Sequence, residues 1–61
     1  MTIGEKITHL RNSRSMSQEA LADKLCVSRQ SVSKWETATT MPDISLLPAL
    51  ATELGVTIDE L

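Results

Sequence analysis

Apolar residues recur at helical spacing along this chain, and the clearest example lies between residues 17 and 36. Leu21 and Leu25 are four residues apart, and Val32 and Trp35 are three apart. Each pair therefore falls on one face of a helix. Because only three residues separate the two runs, the pattern predicts two short helices joined by a sharp turn.

Hydroxyl side chains mark the start of both helices. Ser17 and Ser28 stand directly before the two runs, where a serine hydroxyl can accept a hydrogen bond from the free N–H groups of a first helical turn. Ala22 lies where the helices would cross, and its small side chain lets the two backbones approach. Residues 17–36 are therefore predicted to form a helix–turn–helix unit, with residues 28–36 as its second helix.

Three further helices are predicted around this unit. Thr2 and Glu5 form a capping-box pattern ahead of a first helix, and Thr57 and Glu60 repeat it ahead of a fifth helix that begins at Ile58. The apolar faces of the first and fourth helices follow helical spacing and comprise Ile3, Ile7, Leu10, Ile44, Leu47, Leu50, Ala51 and Leu54.

Two prolines bear on the fourth helix. Pro42 and Asp43 favour a helix start, but Pro48 falls inside the apolar run. A proline in a helix interior removes a backbone hydrogen bond and tends to kink the helix. We therefore expect this helix to start late or to bend near Leu47, and to end at Gly55, a favoured residue at helix C-termini.

The second helix of the unit carries polar side chains that packing does not require. They are Arg29, Gln30, Ser31, Ser33 and Lys34. All of them can donate hydrogen bonds and none is acidic. A helix with such a face suits the major groove of DNA, where arginine can pair in bidentate fashion with guanine and glutamine with adenine.

Over residues 3 to 61 the chain resembles the Cro/C1-type (XRE, phage-repressor-like) helix-turn-helix family. The resemblance is carried by Ile7, Leu10 and Arg11, by residues 17–22, 27–30 and 33–36, by Pro42 and Asp43, and by residues 54–56. It implies an all-α, lambda-repressor-like fold, a compact bundle of five short helices in one domain over residues 1–61. It also implies a prokaryotic or phage transcriptional regulator that binds a palindromic DNA operator as a homodimer. Because the sequence stops one turn into the predicted fifth helix, we expect it to be the N-terminal part of a longer regulator.

Together, the residue pattern and the resemblance suggest a role for each polar residue near the predicted unit. Base-reading is expected from Arg29, Gln30, Ser33 and Lys34. Contacts with the DNA backbone are expected from Ser17, Gln18, Ser28, Ser31, Thr39 and Thr40. The resemblance further implies a structural ion pair between Arg11 in the first helix and Glu36 at the end of the second helix of the unit.

Three turn positions that are commonly glycine in the family hold other residues here, namely Ser15, Cys26 and Ala38. If these positions are left-handed, a Cβ at each typically costs about 1 kcal/mol. A redox role for Cys26 is the less favoured interpretation, because no second cysteine or cluster of bases would activate its thiol.

Composition and charge narrow the class of protein. The single cysteine cannot form an internal disulfide, and no apolar run approaches the roughly 20 residues that span a bilayer. We therefore expect a cytoplasmic setting.

The charge is unevenly distributed along the chain. Residues 1–35 hold six Lys or Arg and three acidic side chains, a net charge of +3. Residues 36–61 hold five acidic side chains and no Lys or Arg, a net charge of −5. This split predicts a basic face for DNA and an acidic back.

Two other classes of function are weighed against DNA binding. The acidic C-terminal half and a loop after residue 36 without basic residues would also fit a protein-interaction module of the antitoxin or anti-repressor type. An enzyme is not expected, because His9 is the only histidine and no catalytic, metal-binding or phosphate-binding pattern accompanies it. No cofactor and no small-molecule site are expected.

Overall fold

A computed structural model describes all residues 1–61 and contains four α-helices and two 3-10 turns. The α-helices are α1 (Ile3–Ser13), α2 (Gln18–Leu25), α3 (Arg29–Glu36) and α4 (Leu47–Leu54), and the 3-10 turns are Ile44–Leu46 and Ile58–Glu60. The helix–turn–helix unit predicted over residues 17–36 is formed by α2 and α3 with their N-cap serines. None of the helices is long and apolar enough to cross a bilayer.

The predicted count of five helices is wrong, because the chain after Gly55 forms one 3-10 turn and not a helix. The predicted cap is nevertheless present there, since the backbone N–H of Thr57 donates to Oε1 of Glu60 over 2.9 Å. The backbone N–H groups of Glu60 and Leu61 donate to the carbonyls of Thr57 and Ile58 over 3.1 and 3.0 Å, which is the i to i+3 pattern of a 3-10 turn.

The late start predicted for the fourth helix is confirmed. Ile44–Leu46 forms a 3-10 turn that Asp43 caps, and α4 then begins at Leu47 with Pro48 in its first turn. At that position a proline costs no hydrogen bond, because the first N–H groups of a helix have no partner within it. Gly55 ends α4 in the left-handed conformation, with φ at 75°.

The core lies where all four helices meet. Its buried side chains come from each of them: Ile7 from α1, Leu21, Ala22 and Leu25 from α2, Val32 and Trp35 from α3, and Leu50 and Leu54 from α4. The remaining apolar residues of α1, Ile3 and Leu10, are partly buried and pack against this cluster. With no other aromatic residue in the chain, Trp35 is the largest core side chain.

Gly4 sets the distance between α1 and the end of α3. A Cβ at this position would lie 2.4 Å from the carbonyl oxygen of Trp35 and 3.0 Å from that of Glu36. Both contacts are with backbone atoms that no side-chain rotation can move. The close crossing of α1 over the C-terminus of α3 therefore depends on glycine at residue 4.

The three turn residues that replace glycine do adopt left-handed backbone conformations. The φ angles are 55° at Ser15, 58° at Cys26 and 62° at Ala38. Cys26 ends α2, and its left-handed conformation lets Val27 donate its backbone N–H to the carbonyl of Ala22 over 3.0 Å. This hydrogen bond makes the sharp turn from α2 into α3.

Candidate nucleic-acid interface

Helix α3 divides into a buried face and an exposed face. Val32 and Trp35 are 0% and 4% exposed and face the core. Arg29, Gln30 and Lys34 are exposed, and Ser33 is partly exposed. At 100° per residue, residues 29, 30, 33 and 34 fall within one arc of about 140° that excludes both core residues. The four predicted base-reading residues thus share one surface, and nothing in the chain packs over it.

The N-terminus of α3 exposes two hydroxyl groups to solvent. The Ser28 Oγ accepts a hydrogen bond from the Ser31 backbone N–H over 3.2 Å and lies 3.0 Å from the Ser31 Oγ. In the same way, Ser17 caps α2 by accepting from the backbone N–H of Ala20 over 3.0 Å. Because capping uses the hydroxyl oxygen as an acceptor, Ser17 keeps its O–H donor for a further partner. The hydrogen bond between the Ser28 and Ser31 hydroxyls uses one of their two O–H donors, so this pair keeps one.

Beyond the other end of α3, Thr39 and Thr40 follow the left-handed Ala38. Their backbone N–H groups both donate to the carbonyl oxygen of Lys34, over 2.9 and 3.3 Å. The Thr39 hydroxyl lies 2.9 Å from the hydroxyl of Thr37. The Thr37 hydroxyl already donates to the Ser33 carbonyl over 3.1 Å, so the Thr39 hydroxyl is the donor in its contact with Thr37. Of the backbone N–H and hydroxyl donors of Thr39 and Thr40, only the Thr40 hydroxyl therefore remains for a ligand.

An ion pair ties α1 to the end of α3. The Nε and Nη2 atoms of Arg11 donate to the two carboxylate oxygens of Glu36 over 2.7 and 3.1 Å, and Nη1 donates to the carbonyl of Met16 over 2.8 Å. The two side chains are only 12% and 7% exposed. This bidentate arrangement fixes the orientation of α3 against α1.

The electrostatics of the pair keep Glu36 ionised. Burial alone would raise the pKa of Glu36, but hydrogen bonds from Arg11 and Gln18 and the charge of Arg11 outweigh it, so the pKa lies below its usual value. The hydrogen bond with Glu36 raises the pKa of Arg11. Both groups are therefore charged at neutral pH.

Gln18 joins this ion pair to the exposed face of α3, a connection that sequence reasoning missed. Its Nε2 donates to the Glu36 Oε1 over 3.0 Å, and its Oε1 lies 3.4 Å from Nη1 of Arg29. Sequence reasoning placed Gln18 at a helix start and could not show that the starts of α2 and α3 lie side by side. An eleven-residue spacing across a turn carries no periodic signal.

Lys24, the single basic residue of α2, points elsewhere. The Nζ of Lys24 lies 3.9 Å from Oε1 of Glu53 on α4, and the Lys24 side chain is 54% exposed. It therefore lies on the side of α2 that faces α4. Lys24 and Lys34 thus offer the same chemistry on two different surfaces.

Comparison with known proteins places this arrangement in a family. A family model described as helix-turn-helix matches residues 7–61. The HTH-type transcriptional activator BcrR of Enterococcus faecalis is 41% identical over all 61 residues, which span 30% of its length. An uncharacterized HTH-type transcriptional regulator, YonR, from the SPbeta prophage of Bacillus subtilis strain 168 is 38% identical over 56 residues, 92% of this chain and 52% of that protein.

Two solved structures share the fold. The P22 c2 repressor, crystallised with a synthetic operator, superimposes with a TM-score of 0.91 at 32% identity, covering 97% of this chain and 89% of the repressor chain. SinR, the master regulator for biofilm formation, in complex with DNA, gives a TM-score of 0.85 at 27% identity over 95% of this chain and 94% of its own. On these matches and the helix–turn–helix geometry of α2 and α3, the chain belongs to the Cro/C1-type (XRE) helix-turn-helix family.

Proposed function

We propose that this domain binds double-stranded DNA with sequence specificity and serves a transcriptional regulator, with α3 in the major groove. The observation that carries the proposal is the exposed face of α3, where Arg29, Gln30, Ser33 and Lys34 present hydrogen-bond donors with no internal packing role. Two structural neighbours support it, since one is a repressor in complex with a synthetic operator and the other a regulator in complex with DNA.

Base-reading follows from the chemistry of these side chains. The Arg29 guanidinium matches the two acceptors of guanine, and the Gln30 amide matches the acceptor and donor of adenine. Lys34 and Ser33 lie one turn further along the helix and would reach neighbouring base pairs. Contacts with phosphates, which position the domain without specifying sequence, are assigned to Ser17, Gln18, Ser28, Ser31, Thr39 and Thr40.

Binding as a homodimer to a palindromic operator is part of the proposal. Two recognition helices related by twofold symmetry would enter successive major grooves about 34 Å apart. The exposed apolar side chains Ile44 and Ile58, 79% and 47% exposed, flank α4 on the two 3-10 turns and offer a surface for such a dimer. A regulator acting on chromosomal or phage DNA would work in the cytoplasm.

The test begins with selection of bound duplexes from a random pool, which gives the site and its symmetry together. On the selected site, Arg29→Ala and Gln30→Ala should each reduce discrimination at one base pair by about tenfold, since a bidentate pair discriminates by about 1–3 kcal/mol. Lys34→Ala should weaken binding, whereas Lys24→Ala, with the same loss of charge on another surface, should leave it unchanged. Unchanged sequence preference in both the Arg29 and Gln30 variants would contradict the proposal.

A second candidate is a protein-interaction module with the same fold. The observation that favours it is the charge of residues 36–61, which contain five acidic side chains and no Lys or Arg. The two candidates differ in their response to salt, because DNA binding releases counterions and weakens steeply as salt rises. Salt-dependent binding to any duplex supports the first candidate, and no binding to duplexes even at low salt supports the second.

A further inference from the structure

Two lysines of the basic half of the chain face the acidic C-terminal part. Helices α1 and α2 each pack against both α3 and α4, so a basic side chain on them can face either one. The Nζ of Lys24 lies 3.9 Å from Oε1 of Glu53 on α4. The Nζ of Lys6 on α1 lies 3.4 Å from the carbonyl oxygen of Leu61, next to the 3-10 turn Ile58–Glu60. Both ammonium groups therefore have negative or electron-rich partners within the domain.

Arg14, directly after α1, lies against the end of α4. A Cβ at Gly55 would be 2.5 Å from Nη1 of Arg14 and 3.4 Å from its Cζ, so the guanidinium rests on this glycine. Gly55 ends α4, and the last carbonyl groups of a helix carry a partial negative charge that a cation complements. Arg14 is thus a third basic side chain that faces the C-terminal part of the domain.

Only two of the six Lys and Arg side chains remain without such a partner. Arg11 is held by Glu36 in the buried ion pair. Arg29 and Lys34 make no ion pair within the domain, and both are exposed on the same face of α3. The basic face predicted from the split of charge along the chain is therefore limited to these two side chains.

We propose that Arg29 and Lys34 are the only Lys or Arg side chains of this domain that reach DNA, and that neutral donors meet the remaining phosphates. The inference rests on the proposed function and deepens it, because it states what kind of contact each part of the DNA receives. Hydroxyl groups can bind phosphate oxygens and fix the position of a domain on the duplex. The hydroxyl donors left free by internal hydrogen bonds are those of Ser17, Thr40 and one member of the pair Ser28 and Ser31.

This distribution limits the non-specific part of the binding energy. Cations that neutralise phosphates release counterions, so two of them give a slope of log K against log salt no steeper than about −1.8 per bound domain, whereas six would give about −5.4. The affinity of one domain should then fall only about tenfold between 50 and 200 mM salt. Because non-specific binding depends on the same term, base contacts from α3 would supply most of the preference for the operator over other DNA.

The test is the salt slope of the intact domain on its selected operator, divided by the number of domains bound. Lys34→Gln should make the slope shallower by about 0.9. Lys6→Gln, Arg14→Gln and Lys24→Gln remove the same charge and should leave the slope unchanged, because these side chains face the C-terminal part of the domain. Circular dichroism with a urea titration shows which variants are folded at the assay temperature, and slopes are compared among those.

The outcomes separate this inference from the proposed function. If the domain binds no duplex, both fail. If it binds duplexes without sequence preference, the proposed function fails, and the slope on those duplexes still decides the inference. A slope per domain of about −2.7 or steeper requires a third cation and overturns the inference, as does a shallower slope in any of the three control variants. A slope of about −1.8 or shallower that Lys34→Gln reduces and the control variants do not supports it.

Discussion

The two faces of α3 are made of adjacent residues under opposite constraints. Trp35 is 4% exposed and fills the core, whereas Lys34, its neighbour in sequence, projects into solvent. On the buried face, shape and apolar area determine what fits, and on the exposed face hydrogen-bonding chemistry does. The comparison teaches that stability and the proposed recognition can be altered separately in this helix. A substitution at Trp35 should change the first, and a substitution at the adjacent Lys34 should change the second.

Arg11 and Glu36 belong to neither face alone. They are polar like the exposed face but nearly as inaccessible as the core, at 12% and 7% exposure. They keep α3 in place while Gln18 connects them to Arg29. The variants that test the separation of the two faces therefore change a core residue, a member of this ion pair, or an exposed residue on or beside α3.

The largest effect is expected from Trp35→Ala. Truncating a buried aromatic side chain costs about 3–5 kcal/mol, and a domain of this size has a total stability of only roughly 3–9 kcal/mol. The variant should therefore lose a large part of its stability and unfold at a much lower urea concentration than wild type. Circular dichroism with a urea titration measures this directly, without relying on the fluorescence of the tryptophan that is removed.

Lys34→Ala is the matched control for that experiment. It changes the adjacent residue on the opposite face of the same helix, and its free energy of unfolding should stay within about 0.5 kcal/mol of wild type. A Lys34→Ala variant as unstable as Trp35→Ala would show that the exposed face contributes to packing. The proposed division of α3 would then be wrong.

An intermediate effect is expected from Arg11→Ala. The variant leaves the nearly inaccessible Glu36 carboxylate without its bidentate partner and the Met16 carbonyl without its donor. Hydrogen bonds to charged groups contribute about 1.5–3 kcal/mol, so the free energy of unfolding should fall by about 2–3 kcal/mol. Arg11→Lys keeps the charge but not the planar fork, and should recover only part of the loss in the urea midpoint.

The ion pair also predicts how stability depends on pH. The folded-state pKa of Glu36 is depressed below its usual value of 4.5. Its contribution is therefore fully present above the unfolded-state pKa and is lost as pH falls through the folded-state pKa. Urea midpoints of wild type should approach those of Arg11→Ala as the pH is lowered from 4.5 through the folded-state pKa of Glu36. A constant difference between the two proteins across that range would exclude this coupling.

The sequence predicted α1, α2, α3 and their caps because each has local signals, such as Thr2 with Glu5 or Ser28 before Val32. It overestimated the segment after Gly55, because a capping pattern marks a start but does not ensure that the following residues continue as a helix. The position of Gln18 between Glu36 and Arg29 could not be predicted from pattern at all. That contact depends on how α2 and α3 cross, which is a tertiary property.

Cys26→Gly is expected to increase stability, by less than the losses predicted for Trp35→Ala and Arg11→Ala. Cys26 has a φ of 58° and a ψ of 41°, a conformation that costs residues with a Cβ about 1 kcal/mol relative to glycine. The variant should therefore unfold at a higher urea concentration, by about 1 kcal/mol in free energy. Cys26→Ala retains the Cβ and should show no comparable gain. Equal effects of both substitutions would assign the change to the thiol and not to the backbone.

The smallest effect is expected from adding one positive charge at Thr40, in the segment that follows the exposed face of α3. Thr40 follows α3, is exposed, and its backbone N–H donates to the Lys34 carbonyl, an interaction that a new side chain leaves intact. If this segment borders a phosphate, as proposed, Thr40→Lys should steepen the dependence of log K on log salt by about 0.9. Thr52→Lys makes the same substitution at an exposed site on α4 and should leave the slope unchanged. Slopes equal to the wild-type slope in both variants would show that Thr40 lies away from DNA. Equal increases in both variants would show that the salt dependence follows the total charge of the domain and not the position of the added charge.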